Sequence, residues 1–213
     1  MIALRHIIAS LALAAAAHGA VDAGQMLTPA SAAGDWGPLI GALSAKGALQ
    51  ASFTEYRYFP FRREPTILKG VLRISPEHGL SLQYTEPEPS TLIADATGLI
   101  MRDKAGRSRE LPAGSREGGA IASLLPIMRF DFSALFPVFI IRATRGDSGW
   151  AFEFTPRDPG AAGSLGVITI AGSGTDVSRL EFKRSASQRV EIDVGDTKSG
   201  VAFTPGELAR YFR

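Results

Sequence analysis

Cysteine is absent from all 213 residues, so no disulfide can brace the fold and no thiolate can act as nucleophile or metal ligand. The same absence removes the residue on which a bacterial lipoprotein is acylated. Histidine is nearly as scarce. Of the three in the chain, His6 and His18 lie near the start, and His78 sits in a Pro-Glu-His-Gly segment that reads as a solvated turn. An excess of one charge is missing too: 23 Lys and Arg face 21 Asp and Glu, a balance of +2, with the basic residues scattered rather than grouped in a stripe. Nucleic acid is not an expected partner. Past the first residues no apolar run approaches the roughly 18 residues a membrane-crossing helix needs, and 136–141 is far too short.

What is present begins with an export signal. Arg5 and His6 precede an apolar run over 7–17, and small residues follow at Ala17, Gly19, Ala20 and Ala23. The expectation is a cleaved signal over 1–23, a patternless Ala/Gly/Ser/Pro leader over 24–34, and one domain over 35–213, large enough for a sizeable core or a barrel around a cavity. Without a lipidation cysteine or a membrane helix, the expected product is a soluble periplasmic monomer.

Asp35 can cap a helix, Pro38 fits its first turn, and Trp36, Leu39, Ile40 and Leu43 recur at helical spacing, so one face of this helix is apolar. Six strands are then predicted over 50–58, 66–75, 79–85, 91–95, 98–103 and 107–111. Within them Leu68, Gly70, Leu72 and Ile74 alternate with Lys69, Val71 and Arg73, and Leu80, Leu82 and Tyr84 alternate with Ser81 and Gln83. Alternation of this kind means antiparallel strands with one apolar and one wet face. Turn chemistry at 76–79, 86–89 and 96–98 favours a meander of hairpins over βα winding. Residues 120–136 break the pattern with Ile121, Leu124, Leu125, Phe130, Phe132, Leu135 and Phe136, and read as one or two short apolar helices ended by Pro137. Strands resume over 138–144, 150–156, 166–171, 177–184, 188–194 and 200–204, with a hairpin turn at 172–174, and a short helix over 207–212 ends the chain.

Catalytic chemistry is thin. With no cysteine and one histidine outside the signal, triads and zinc sites have no foundation. Glu86 and Glu88, the obvious carboxylate pair, lie in a Pro-flanked loop, and Gly172 to Gly174 lacks the Lys-Ser/Thr of a phosphate cradle. The expectation is a protein that is not an enzyme and needs no cofactor or metal. The Phe59-Pro60-Phe61-Arg62-Arg63 stretch mixes aromatics with cations, which fits either a membrane or partner contact or a rigid loop tucked on the sheet rim.

Read in order, these pieces resemble the periplasmic lipoprotein carriers, LolA-like proteins. The resemblance is carried by Gln50-Ala51-Ser52-Phe53-Thr54-Glu55, by Gly70-Val71-Leu72-Arg73-Ile74, by Tyr84 with Glu86-Pro87-Glu88-Pro89, by Leu92-Ile93-Ala94-Asp95, by 150–156, and by Val201-Ala202-Phe203-Thr204-Pro205. It implies a mainly β (α+β) fold: an incomplete, concave antiparallel β-barrel with short α-helices as a lid over an apolar cavity. It also implies a shuttle that takes acylated lipoproteins from an inner-membrane exporter to an outer-membrane acceptor. The family's carriers end the strand matching 70–74 with an arginine before proline, which latches the lid. Here Ser75 precedes Pro76, so the latch is absent or taken by another arginine such as Arg57 or Arg73.

The residues expected to line the cavity and its lid are Trp36, Leu39, Ile40 and Leu43 from the first helix and Phe53, Leu72, Ile74, Leu82, Tyr84 and Leu92 from the strands. Leu124, Leu125, Phe132, Leu135 and Phe136 join them from the middle segment. Three functions follow: the lipoprotein shuttle, a carrier or sensor of another lipid such as a glycolipid, and, more distantly, an exported hydrolase.

Overall fold

The computed structural model describes residues 24–112 and 124–213; the expected signal and the first part of the middle apolar segment lie outside the described residues. Its first meander comprises β2 (Leu49–Tyr58), β3 (Thr66–Ser75), β4 (Gly79–Glu86), β5 (Ser90–Asp95), β6 (Gly98–Arg102) and β7 (Ser108–Pro112). The second comprises β8 (Phe139–Gly146), β9 (Gly149–Pro156), β10 (Val167–Ser173), β11 (Asp176–Lys183) and β12 (Arg189–Ser199). Antiparallel pairing of β12 with β2 joins the two, and the short β1 (Gln25–Met26) adds to β8, giving one 12-stranded sheet in the order β1-β8-β9-β10-β11-β12-β2-β3-β4-β5-β6-β7. The end strands β1 and β7 do not pair with each other, so the barrel is incomplete.

Six helices are described: α1 (Pro29–Ala33), α2 (Gly37–Ser44), α3 (Leu124–Met128), α4 (Phe132–Leu135), α5 (Pro159–Leu165) and α6 (Pro205–Tyr211). Among the described residues, no helix is long and apolar enough to cross a membrane. The expected leader over 24–34 is instead structured. Gln25 and Met26 pair with Ala143 and Arg142, and Thr28 and Ser31 form a reciprocal capping box at the start of α1. Trp36, not Asp35, occupies the N-cap of α2. Two further expectations change. Residues 201–204 lead from β12 to α6 rather than forming a strand, Gly200 turning the chain at φ 69°. Residues 172–173 belong to β10, so the hairpin turn falls after Ser173.

Alternation sorts the sheet into two faces. On the inner one, Leu72 faces Ala51 and Leu82, Leu82 faces Leu92, and Ile170 faces Phe152 and Leu180. Gly70 lies here because the Phe53 ring crosses it: a Cβ would stand 2.8 Å from that ring and 2.2 Å from the Gln83 carbonyl oxygen.

The opposite face is not uniformly wet, contrary to the simple reading of the alternation. Arg73, Ser75 and Ser81 are buried on the first meander, with Ile93 and Phe212. Here α6 and the last residues fold back over the sheet. The Arg73 guanidinium stacks 3.6 Å from the centre of the Tyr211 ring and donates to Gln50 and Gln83, while Arg213 pairs with Asp95 at 2.8 Å. Partial burial works against the charge on Asp95, but hydrogen bonds from Thr97 and Gly98 and the Arg213 charge outweigh it and hold the carboxyl below its usual range.

Two outcomes follow from this packing. Gly70→Val should cost about 1–3 kcal/mol in urea unfolding, since Phe53 and the β4 backbone must both move. A depressed carboxyl contributes stability above its unfolded value of about 3.9 and loses it as pH falls through the lower folded value. The stability gap between the native protein and Asp95→Asn should therefore be full at pH 7, begin to shrink as pH falls below about 4, and be lost only once pH has passed through the lower folded value, as read from unfolding midpoints across that range.

Candidate functional site

Where α3 lies over the inner face, a cavity of about 180 Å³ remains between them. Its walls are Leu72, Leu80, Leu82, Tyr84 and Leu92 from β3 to β5, Leu180, Phe182, Val190 and Ile192 from β11 and β12, Glu55 from β2, and Leu124 and Met128 from α3. These strands occupy consecutive positions from β11 to β5 in the sheet, a span of roughly 24 Å if flat at about 4.8 Å per strand. One small cavity touches them all only because the sheet curls, so the inner face is concave. Leu124 and Met128 are four residues apart and share a helix face, while Leu125 and Ile127 turn away and are buried. The chain leaves α3 through Phe130, whose φ of 54° is unusual for a bulky residue, and Asp131 then caps α4 by accepting from the Ala134 amide.

A polar group sits at one end of this apolar wall. The Glu55 side chain is only 3% exposed, accepts the Tyr84 hydroxyl at 2.7 Å, and is ion-paired and hydrogen-bonded with Arg57, which also donates to the Tyr84 oxygen at 3.2 Å. Burial first, and then the Glu55 charge, push the Tyr84 phenol above its usual range, so it remains a donor. Burial opposes the charge on Arg57, and the Glu55 carboxylate overcomes that, holding the guanidinium proton more firmly than usual. Tyr84 and Leu92 are also walls of an adjoining groove of about 420 Å³ that contains Arg57, Leu68, Met101, Asp103, Arg107 and Arg109. Arg57 further borders a second groove, of about 290 Å³, with Tyr58, Phe59, Leu165 and Arg189.

Five of the residues expected at the cavity line it: Leu72, Leu82, Tyr84, Leu92 and Leu124. The remaining ten are packed elsewhere. Trp36, Leu43, Phe53, Ile74, Leu125, Phe132 and Leu135 are buried core, and Leu39, Ile40 and Phe136 pack against it, because the helices close directly onto the sheet wherever aromatic rings fill the space. Trp36 and Phe132 lie 5.2 and 5.0 Å from the Phe152 ring centre, leaving no gap there. Sequence reasoning missed Glu55, Leu80, Met128, Leu180, Phe182, Val190 and Ile192. Strand parity could have found Glu55, which follows Ala51 and Phe53 on the apolar side of β2.

The question of a replacement latch divides the two arginines. Arg73 is on the outer face beneath Tyr211, whereas Arg57 is on the concave face beside the cavity. Ser75 shapes the β3–β4 turn by accepting the His78 amide at 3.2 Å. Glu86 and Glu88 pair with Lys69 and Lys104 in exposed positions. Among the described residues, no group of three or more His, Cys, Asp or Glu could hold a metal.

No protein-family model matches this sequence, and neither does any curated protein. Solved structures do match. The chain is similar to a putative outer membrane lipoprotein-sorting protein domain from Vibrio parahaemolyticus, with 9% identity, 82% of this chain and 94% of that chain covered, and a TM-score of 0.45. It is similar to a LolA superfamily protein from Nitrosomonas europaea, with 9% identity, coverage of 81% and 96%, and a TM-score of 0.43. It is also similar to a chain of the Pseudomonas aeruginosa MucA/MucB complex, with 13% identity, coverage of 82% and 59%, and a TM-score of 0.44.

Tyr84→Phe would leave the buried Glu55 carboxylate short of one donor. A loss of about 1.5–3 kcal/mol is expected in denaturant titration, because the hydrogen bond is to a charged, buried acceptor. An unchanged midpoint would mean that the three side chains do not act together.

Proposed function

We propose that the protein is an exported, LolA-like lipid-binding carrier of the periplasm, a binder rather than a catalyst, that shields acyl chain from water between its concave sheet and α3. The observation that carries this reading is the apolar cavity between the concave sheet and α3. Exposed acyl chain costs roughly 0.8 kcal/mol per methylene, so a carrier needs a dry chamber and a cover that can move. Leu and Ile walls supply the chamber. A moving cover requires open and closed states separated by only a few kcal/mol, which cargo can rebalance.

The resemblance in the sequence makes an acylated lipoprotein the first candidate cargo, passed from an inner-membrane exporter to an outer-membrane acceptor. A second reading, a carrier of another lipid, is favoured by two observations. Ser75 stands where the family's latch arginine is expected, and about 180 Å³ is near the ~150 Å³ of a cavity that accepts one benzene, so this conformation admits a piece of one chain rather than several whole ones.

Native mass spectrometry of the protein purified without detergent from its own periplasm tests the carrier. The expected result is a bound lipid that is lost in Leu72→Glu, which places an unpaired charge in the cavity, and in Leu92→Trp, which fills it without charge. Circular dichroism checks that both variants fold. A native protein that carries no lipid, or folded variants that keep it, would sink the reading.

A further inference from the structure

The groove beside the cavity carries a chemistry that an acyl chain alone does not use. Along the inner face, Leu82 faces Leu92, Leu92 faces Met101, and Met101 faces Arg109, one apolar row running across four strands into a cation. At about 4.8 Å per strand, Arg109 stands roughly 10 Å beyond Leu92, the last cavity wall on this side. Met101 is 48% exposed, an unusually open position for a large apolar side chain, and it lines the groove.

The charges there are unbalanced. Arg57, Arg102, Arg107 and Arg109 line the groove against one carboxylate, Asp103, and that carboxylate is paired with Arg107 at 2.7 Å. Arg57 is committed to Glu55, and Arg102 donates to the Arg210 carbonyl at 3.1 Å. The Arg109 side chain is exposed and makes no hydrogen bond or ion pair among the described residues. A guanidinium at the end of an apolar track suits a carboxylate or phosphate, which it can hold through two parallel hydrogen bonds.

We infer that the carried molecule is a single-chain amphiphile with a compact anionic head, the chain running over Met101 and Leu92 into the cavity and the head held by Arg109. This rests on the carrier reading and names its ligand class. A neutral ester or amide head would leave the basic groove without a counter-charge, so the arrangement discriminates between the two cargo readings and favours a free anionic lipid.

Calorimetric titration of the full mature protein at low ionic strength and pH 7, with decanoate, decanol and inorganic phosphate in turn, tests this. Decanoate should bind about tenfold or more tightly than decanol, the equivalent of about 1.4 kcal/mol, and inorganic phosphate should bind far more weakly than decanoate. Arg109→Gln, a change at an exposed residue, should bring decanoate down to the decanol affinity, and raised salt should narrow the difference. Equal affinities for decanoate and decanol, or a preference that survives Arg109→Gln, would overturn the head-group assignment while leaving the carrier standing. Phosphate binding as tight as decanoate would make the groove a free-anion site and overturn it as well. Binding of neither decanoate nor decanol would overturn the assignment, the carrier reading itself standing or falling on the native mass spectrum.

Discussion

The ring of Phe152 is the point at which the helices are fastened to the sheet. It is fully buried on β9, and the rings of Trp36, Phe132, Trp150 and Phe154 stand 5.0 to 6.5 Å from it in tilted and edge-on arrangements. Such ring pairs add about 0.5–1.5 kcal/mol each beyond the area they bury. Through Trp36 the cluster docks α2, and through Phe132 it docks α4. Because α4 follows α3 after only three residues, anchoring α4 sets where α3 can lie.

From that anchor the molecule divides into a filled half and an under-filled half. Over β8 to β10 the inward side chains are mostly Phe, Trp and Ile, and they pack into one core cluster with Trp36 at the start of α2 and Phe132 of α4. Over β3 to β5 and β11 to β12 the inward positions are mostly Leu, Val and Ile, with α3 above them among the described residues. Side chains of that size do not reach across the curl, and a cavity is left. An incomplete barrel suits this, since open ends let the sheet curl without the fixed spacing that full closure would impose.

The two faces treat their arginines differently, and the difference bears on function. Arg73 is stacked under Tyr211 and hydrogen-bonded to Gln50 and Gln83, so it ties the end of the chain to the first meander. Arg57 borders both grooves beside the cavity, held by a buried carboxylate and a phenol. Burying Glu55 beside an apolar chamber costs solvation that its two partners offset, and the result is a polar edge to an otherwise apolar wall.

Much of the architecture is legible in the residues themselves. The eleven strands β2 to β12 are all expected from the residues, with period-2 alternation plainest in β3 and β4, and the turn before Gly98 is expected from its glycine; Thr204 and Glu207 cap α6 where the residues alone suggest a strand through Thr204. Less legible were α1 with β1, whose Ala/Gly/Ser composition lacks an apolar stripe, and α5, whose Gly160 and Gly163 hide a helix capped by Asp158. Strand parity places Leu72, Leu82, Tyr84 and Leu92 on one face, and nothing in the chain separates a side chain that packs from one that borders a void. That separation belongs to the tertiary structure. Phe132 and Leu124 are both apolar residues of the same segment, yet one meets aromatic rings that fill the space and the other faces aliphatic walls that do not. The amino-acid sequence by itself determined the strands, their faces and the composition of the core, because these follow from local periodicity. The curl of the sheet, the seat of α3 and the meeting of Arg57, Arg107 and Arg109 in one groove were decided only in three dimensions, because each depends on residues brought together across strands that are distant in the chain.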